Sequence, residues 1–177
     1  MQGRTALVTG AAAGIGAACA RRLAAGGAAV GVLDLDADRC AGTVHDIEAA
    51  GGKAVALGAD IASPEQVDMA LARLREACGP VTILVNNAAI TGYAPFLETR
   101  LEDWEAILKV NLTGTFLLTQ RVLPDMIAAG WGRIINISSS AAQTGAKHMA
   151  AYAASKGGMI SLTRTLAVEF GPAGITA

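Results

Sequence analysis

Short apolar runs alternate with longer amphipathic ones along the whole chain, and this alternation restricts the fold more than any other feature. Ala6 to Thr9, Ala29 to Leu33, Ala54 to Leu57, Ile83 to Val85 and Arg133 to Ile137 read as strands. Residues 15 to 25, 37 to 50, 64 to 78, 101 to 129 and 151 to 170 read as helices. Strands that alternate with helices pair in parallel through right-handed crossovers, which predicts an α/β fold with helices on both faces of the sheet. The length of 177 residues suits one domain, and the chain is 53% apolar but only 4% aromatic, as expected for Ala- and Gly-rich helices lying close to a buried sheet. Ser63-Pro64-Glu65-Gln66 predicts a helix start with an N-cap serine, and Thr99 with Glu102 predicts a second start of the same kind. No internal repeat or interdomain linker interrupts the pattern.

The formal charge of -1 comes from interspersed signs, which argues against a nucleic-acid partner and for a small-molecule one. The longest uncharged run, Pro80 to Leu97, contains Asn86, Asn87 and Gly92 and reads as strand plus loop rather than a membrane span. Cys19, Cys40 and Cys78 are widely spaced, which predicts reduced thiols in a cytoplasmic setting. The first strand starts within a few residues of Met1, so no signal peptide is expected. No residues show metal-ligand spacing.

The first strand runs into TGAAAGIG, Thr9 to Gly16. Gly10, Gly14 and Gly16 stand where a strand turns sharply and opens a helix, and the free N–H groups and dipole of that helix suit a pyrophosphate. The spacing is G-x-x-x-G-x-G rather than G-x-G-x-x-G, and the bland alternative is strand-to-helix punctuation. After the second strand comes Asp34, suitably placed for an adenosine ribose. A carboxylate there repels a 2′-phosphate, so NAD is expected over NADP, with Arg39 softening the preference; Asp36 is the better helix N-cap.

The stretch AAYAASK sets Tyr152 four residues before Lys156, on one face of a helix. A free phenol is too weak an acid to act as a base at neutral pH. An ammonium about 4 Å away stabilises the phenolate by on the order of 4 kcal/mol at an effective dielectric near 20, with desolvation opposing.

Taken in order, TGAAAGIG, Asp60, the NNAA at Asn86 to Ala89, VNLTGTF around Asn111, IINISSS at Ile134 to Ser140 and Tyr152 with Lys156 resemble the short-chain dehydrogenase/reductases. The resemblance implies a doubly wound Rossmann-type sheet of order 3-2-1-4-5. It also implies hydride transfer between a nicotinamide cofactor and an alcohol or ketone. By position it assigns Ser139, Tyr152, Lys156 and Asn111 as catalytic, with Ser139 thirteen residues before Tyr152 and Asn111 supporting a water-mediated proton relay. It places Ala13 and Ile15 with the loop glycines, Asp60 and Ile61 at the adenine, and Asn86 and Ala88 at the end of the fourth strand, all at the cofactor with Asp34, Tyr152 and Lys156. Ala13 replaces a basic residue that would favour NADP, and Ala89 replaces the usual glycine. Gln143, His148, Met149 and Tyr93 are expected near the substrate.

The sequence closes on VEFGPAGITA, in which Gly171-Pro172 stops the last helix and Gly174 to Ala177 reads as the start of another strand; the family continues through a substrate-covering segment, so a C-terminally incomplete single domain is expected. Its fifth strand would then be an open apolar edge. Three functions fit: a secondary-alcohol dehydrogenase using NAD, an NADPH-dependent 3-oxoacyl-thioester reductase, and a non-catalytic nucleotide-binding or assembly module. A homo-oligomer is expected through the helices at 101 to 129 and 151 to 170, the family's common interface.

Overall fold

The computed structural model describes residues 1–177. Six parallel strands are ordered β3-β2-β1-β4-β5-β6: β1 Thr5–Thr9, β2 Ala29–Asp34, β3 Lys53–Gly58, β4 Val81–Asn86, β5 Gly132–Asn136 and β6 Ile175–Thr176. The crossovers carry α1 Gly14–Ala25, α2 Ala41–Ala49, α3 Pro64–Cys78, α4 Leu101–Leu108, α5 Thr115–Ala128, the short α6 Ala141–Thr144 and α7 Ala150–Phe170.

Strand side chains alternate between faces, so neighbours in sequence enter different cores. Leu7, Leu33 and Leu84 join Leu71, Leu74, Val122 and Met126 on one side. Ala6, Val8, Val30, Val32, Ile83 and Val85 join Ala20, Ala24 and Ile47 on the other. The second core is rich in alanine, which brings α1 close to the sheet. In β2, a Cβ on Gly31 would lie 2.7 Å from Leu74 Cδ2, so the missing side chain makes room for the leucine.

Boundary differences have local causes. The predicted helix 101 to 129 is three segments, because a π-turn at Lys109–Gly114 separates α4 from α5. Thr99 is not an N-cap: a 3-10 turn at Phe96–Glu98 precedes it, its hydroxyl donates to Pro95 O at 3.1 Å, and Arg100 takes the cap position. Ser63 does cap α3, accepting Gln66 N–H at 3.4 Å, but the Gln66 side chain turns instead to Asp60 N–H at 2.8 Å. Asp36 caps a 3-10 turn, Ala37–Cys40, that precedes α2.

The order 3-2-1-4-5 holds and gains one strand. Gly174 takes a left-handed φ of 78°, and Ile175 and Thr176 pair with Gly132 and Arg133. Ile175 is buried in the first core, so the expected open edge of β5 is covered over its first two residues. No helix is long and apolar enough to cross a membrane.

Candidate active site

The strand order reverses between β1 and β4, and their C-terminal ends open a crevice at that switch point. Gly10 and Gly14 both have left-handed φ, 60° and 58°. A Cβ on Gly16 would overlap Gly10 O and lie 2.6 Å from Asn87 Nδ2, so α1 can start this close to β1 only with glycine there. Asn87 holds the two strand ends together: its Nδ2 donates to Thr9 O and Gly10 O at 2.9 and 3.1 Å, and its backbone N–H donates to Thr9 Oγ1. Ala12 is held from both sides, its N–H by Asp34 Oδ2 at 3.3 Å and its carbonyl by the Thr43 hydroxyl at 3.2 Å.

A cavity of about 630 Å³ lies beside this loop, lined by Gly10, Ala13, Asp34, Asp60, Ile61 and Ala88 among the residues expected there, and also by Arg39 and Asn87. Gly14, Ile15 and Gly16 present the first turn of α1 next to it. Tyr152 and Lys156 do not line this cavity, and neither does Asn86. Asn86 is buried, and its amide donates to Asn136 Oδ1 at 2.8 Å and Thr119 Oγ1 at 3.3 Å, so it ties β4 to β5 and α5 while its neighbour Asn87 reaches the crevice. The doubled asparagine signalled the pair; alternation along the strand end separates their directions.

On α7, Lys156 Nζ lies 5.8 Å from the centre of the Tyr152 ring. The lysine is only 2% exposed, and burial pushes its pKa down from the usual lysine value. Its ammonium donates to Ile137 O at 2.6 Å, while its backbone carbonyl accepts the Ser138 hydroxyl at 3.0 Å. The chain just after β5 thus grips Lys156 at both ends. This sets Ser138 apart from the two serines that follow it. Ser138 is committed to α7, while Ser139 and Ser140 both line a second cavity of about 370 Å³ together with Tyr152, Tyr93 and Met149, Ser140 at the start of α6. Ser139 Oγ accepts Ala141 N–H at 3.2 Å, which leaves its own proton to donate.

Asn111 is fully buried in the π-turn. Its amide donates to Ile90 O at 2.9 Å and Ser155 Oγ at 3.0 Å and accepts Ile90 N–H at 2.8 Å. Ser155 passes the chain on to Tyr152 O at 2.7 Å. The helix interruption expected at Asn111 is present. Both amide N–H groups are occupied, so the side chain fixes the loop after β4 against α7. Ser155 carried no signal in the sequence beyond its adjacency to Lys156.

Of the residues expected near substrate, Tyr93 and Met149 line the second cavity, Gln143 does not, and His148 lines an adjoining cavity of about 240 Å³. His148 has a left-handed φ of 65°, and its carbonyl accepts Ala94 N–H at 3.0 Å, joining the loops before α7 and after β4.

Three features fit a nicotinamide dinucleotide. Gly14 has no atom within 4 Å of the place its Cβ would occupy. No side chain caps α1, so its first N–H groups are available to a phosphate. Lys156 is a buried ammonium with a single side-chain hydrogen bond, leaving N–H groups to give.

The family model for short chain dehydrogenases matches residues 4–177, and the chain belongs to that family. It is 41% identical over 173 residues to a 3-oxoacyl-[acyl-carrier-protein] reductase of Aquifex aeolicus, covering 97% of this chain and 70% of that protein. It is 38% identical to a D-threitol dehydrogenase of Mycolicibacterium smegmatis, covering 99% of this chain and 67% of that one. A gluconate 5-dehydrogenase from Burkholderia cenocepacia, solved with NADP and tartrate, superimposes with a TM-score of 0.93 at 37% identity, over all of this chain and 69% of that one. Such oxidoreductases bind NAD(P), and a neighbour solved with NADP gives no support to the expected preference for NAD.

Proposed function

We propose that this chain interconverts a secondary alcohol and a ketone, with Tyr152 as acid/base, Lys156 as its electrostatic partner and Ser139 as hydrogen-bond donor to the substrate oxygen. The observation that carries the proposal is the meeting of Tyr152 and Ser139 on one cavity wall with a buried Lys156 beside the phenol. A bound nicotinamide dinucleotide supplies or accepts the hydride. It would be held by the N-terminal turn of α1, Asp34, Asp60, Ala88 and Lys156.

Each side chain has a distinct task. In reduction, the Tyr152 hydroxyl gives its proton to the developing alkoxide. Lys156, fixed to Ile137 O, stabilises the phenolate that remains. Ser139 directs its free proton at the substrate oxygen, as one donor of an oxyanion hole does. Asn111 and Ser155 position the tyrosine by holding its backbone.

The test is a panel of alcohols and ketones followed through nicotinamide absorbance. Tyr152→Phe should lose turnover by on the order of 10²–10⁴-fold with dinucleotide binding kept. Turnover surviving within a few-fold would exclude this proton path. Reduction of a 3-oxoacyl thioester is the second reading, supported by the 41% identity to a reductase of that name, and thioesters belong on the same panel. We further propose a homo-oligomer: Leu101 on α4, Phe116 on α5 and Val168 on α7 are exposed apolar side chains on the helices expected to pair.

A further inference from the structure

Reduction of a carbonyl draws on two hydroxyls of the protein, those of Tyr152 and Ser139, yet the 370 Å³ cavity they share presents more. Ser140 occupies the N-cap position of α6, but its side chain makes no capping hydrogen bond, so its hydroxyl is free. Thr91 and Tyr93 line the same cavity, and neither hydroxyl is engaged by the protein. Thr144 is the contrast, since its hydroxyl donates to Ser140 O and Gly145 O, both at 3.2 Å. The loop that carries Thr91 and Tyr93 is pinned on either side of them. The Asn111 side chain binds both the N–H and the carbonyl of Ile90, and His148 O accepts Ala94 N–H at 3.0 Å. No Asp, Glu, Lys, Arg or His lines this cavity, and the Lys156 ammonium is turned to Ile137 O. The adjoining cavity of about 240 Å³, which shares Thr91 and Tyr93, adds His148 and an Asp103 already spent on a two-point pair with Arg100 at 2.8 Å.

We propose that Thr91 and Ser140 are specificity-determining residues that select a neutral, polyhydroxylated substrate by binding hydroxyls on the carbons beside the reacting one. The proposal rests on the oxidoreductase reading above and deepens it. A side-chain hydroxyl both donates and accepts, so it pairs with a sugar-like hydroxyl in either sense. A substrate bearing only hydrocarbon beside its carbonyl displaces water from Thr91 and Ser140 and returns no hydrogen bond. Polar groups of a site left unpaired in this way discriminate more strongly than an apolar pocket can. A carboxylate or phosphate fares worse, because it enters a cavity whose walls hold no cation to pair with it. Tyr93, exposed on the pinned loop, offers a third hydroxyl at the mouth.

Four-carbon ketones test this at constant chain length: butanone, acetoin, erythrulose and acetoacetate, together with an acetoacetyl thioester, each followed by nicotinamide absorbance with NADH and with NADPH. In the wild type, kcat/KM should rise from butanone to acetoin to erythrulose by roughly 2–10-fold for each hydrogen bond gained. Acetoacetate should fall about tenfold or more below acetoin. A neighbouring hydroxyl also makes a ketone intrinsically easier to reduce, so the variants carry the decision. Thr91→Val and Ser140→Ala should each cut the erythrulose-to-butanone ratio of kcat/KM by about 3–10-fold, while Thr91→Ser and Ser140→Thr, which keep the hydroxyl, should restore it. Variants that keep the wild-type ratio, or acetoacetate or its thioester reduced faster than erythrulose, overturn the inference and leave the oxidoreductase reading intact. A wild type that reduces none of the five overturns that reading, and the inference with it.

Discussion

Replacing Lys156 by Met should make the protein more stable and catalytically inert. The lysine is 2% exposed, and its ammonium has one hydrogen bond, to Ile137 O at 2.6 Å. It belongs to none of the ion pairs in the structure. Taking an ammonium out of water costs several kcal/mol even after relaxation, and a hydrogen bond from a charged group returns about 1.5–3 kcal/mol. Met fills the same space with an apolar stem and carries neither contribution, so a net gain of roughly 1–2 kcal/mol is expected, or about 2–8 °C in Tm for a chain of this size. Burial lowers the lysine pKa from its reference of 10.5. Below the lowered value both states hold the proton and the whole penalty applies. Between that value and 10.5 the unfolded chain binds more protons than the folded one, so raising the pH stabilises the wild type. The advantage of Lys156→Met should therefore shrink as pH rises toward the unfolded value. Circular-dichroism melts of both proteins across neutral to alkaline pH measure this directly. A variant that melts below the wild type at neutral pH, or a difference that does not narrow on alkalinisation, would refute the reasoning.

Two further outcomes follow from packing. Gly16→Ala places a Cβ against Gly10 O and the Asn87 amide, so it should cost about 1–3 kcal/mol and abolish dinucleotide binding, read from melts and titration. Leu101→Glu with Val168→Glu puts charge on the exposed apolar face of α4 and α7 and should convert an oligomer to a monomer by light scattering, leaving Tm within about 3 °C because neither side chain is buried.

The alternation of strand and helix, the glycine loop and the Tyr152–Lys156 pair were legible because each is a property of neighbours along one element. Apolar runs place the strands, since a strand buried on both faces needs little else. Four residues of helix put a phenol and an ammonium on one face whatever surrounds them. The choice of Asn86 or Asn87, or of Ser138 or Ser139, was less accessible. Adjacent residues of the same type differ only in the face to which the twisting strand end turns them, and the partners that fix that face are 33 to 78 residues away for the asparagines and 18 residues away for Ser138.

Local sequence therefore determined that the chain forms parallel strands with helical crossovers, a glycine turn ahead of a helix, and a lysine one turn from a tyrosine, because hydrogen bonding and side-chain period within an element need no distant partner. Tertiary structure alone decided the rest. It buried Lys156 and gripped it from the chain after β5. It used up the Asn111 amide between the loop after β4 and Ser155 on α7, laid Ile175 beside β5, and set Arg39 on Asp34. Each of these depends on which atoms meet across the sheet, and burial then makes an unmet polar group too costly to leave.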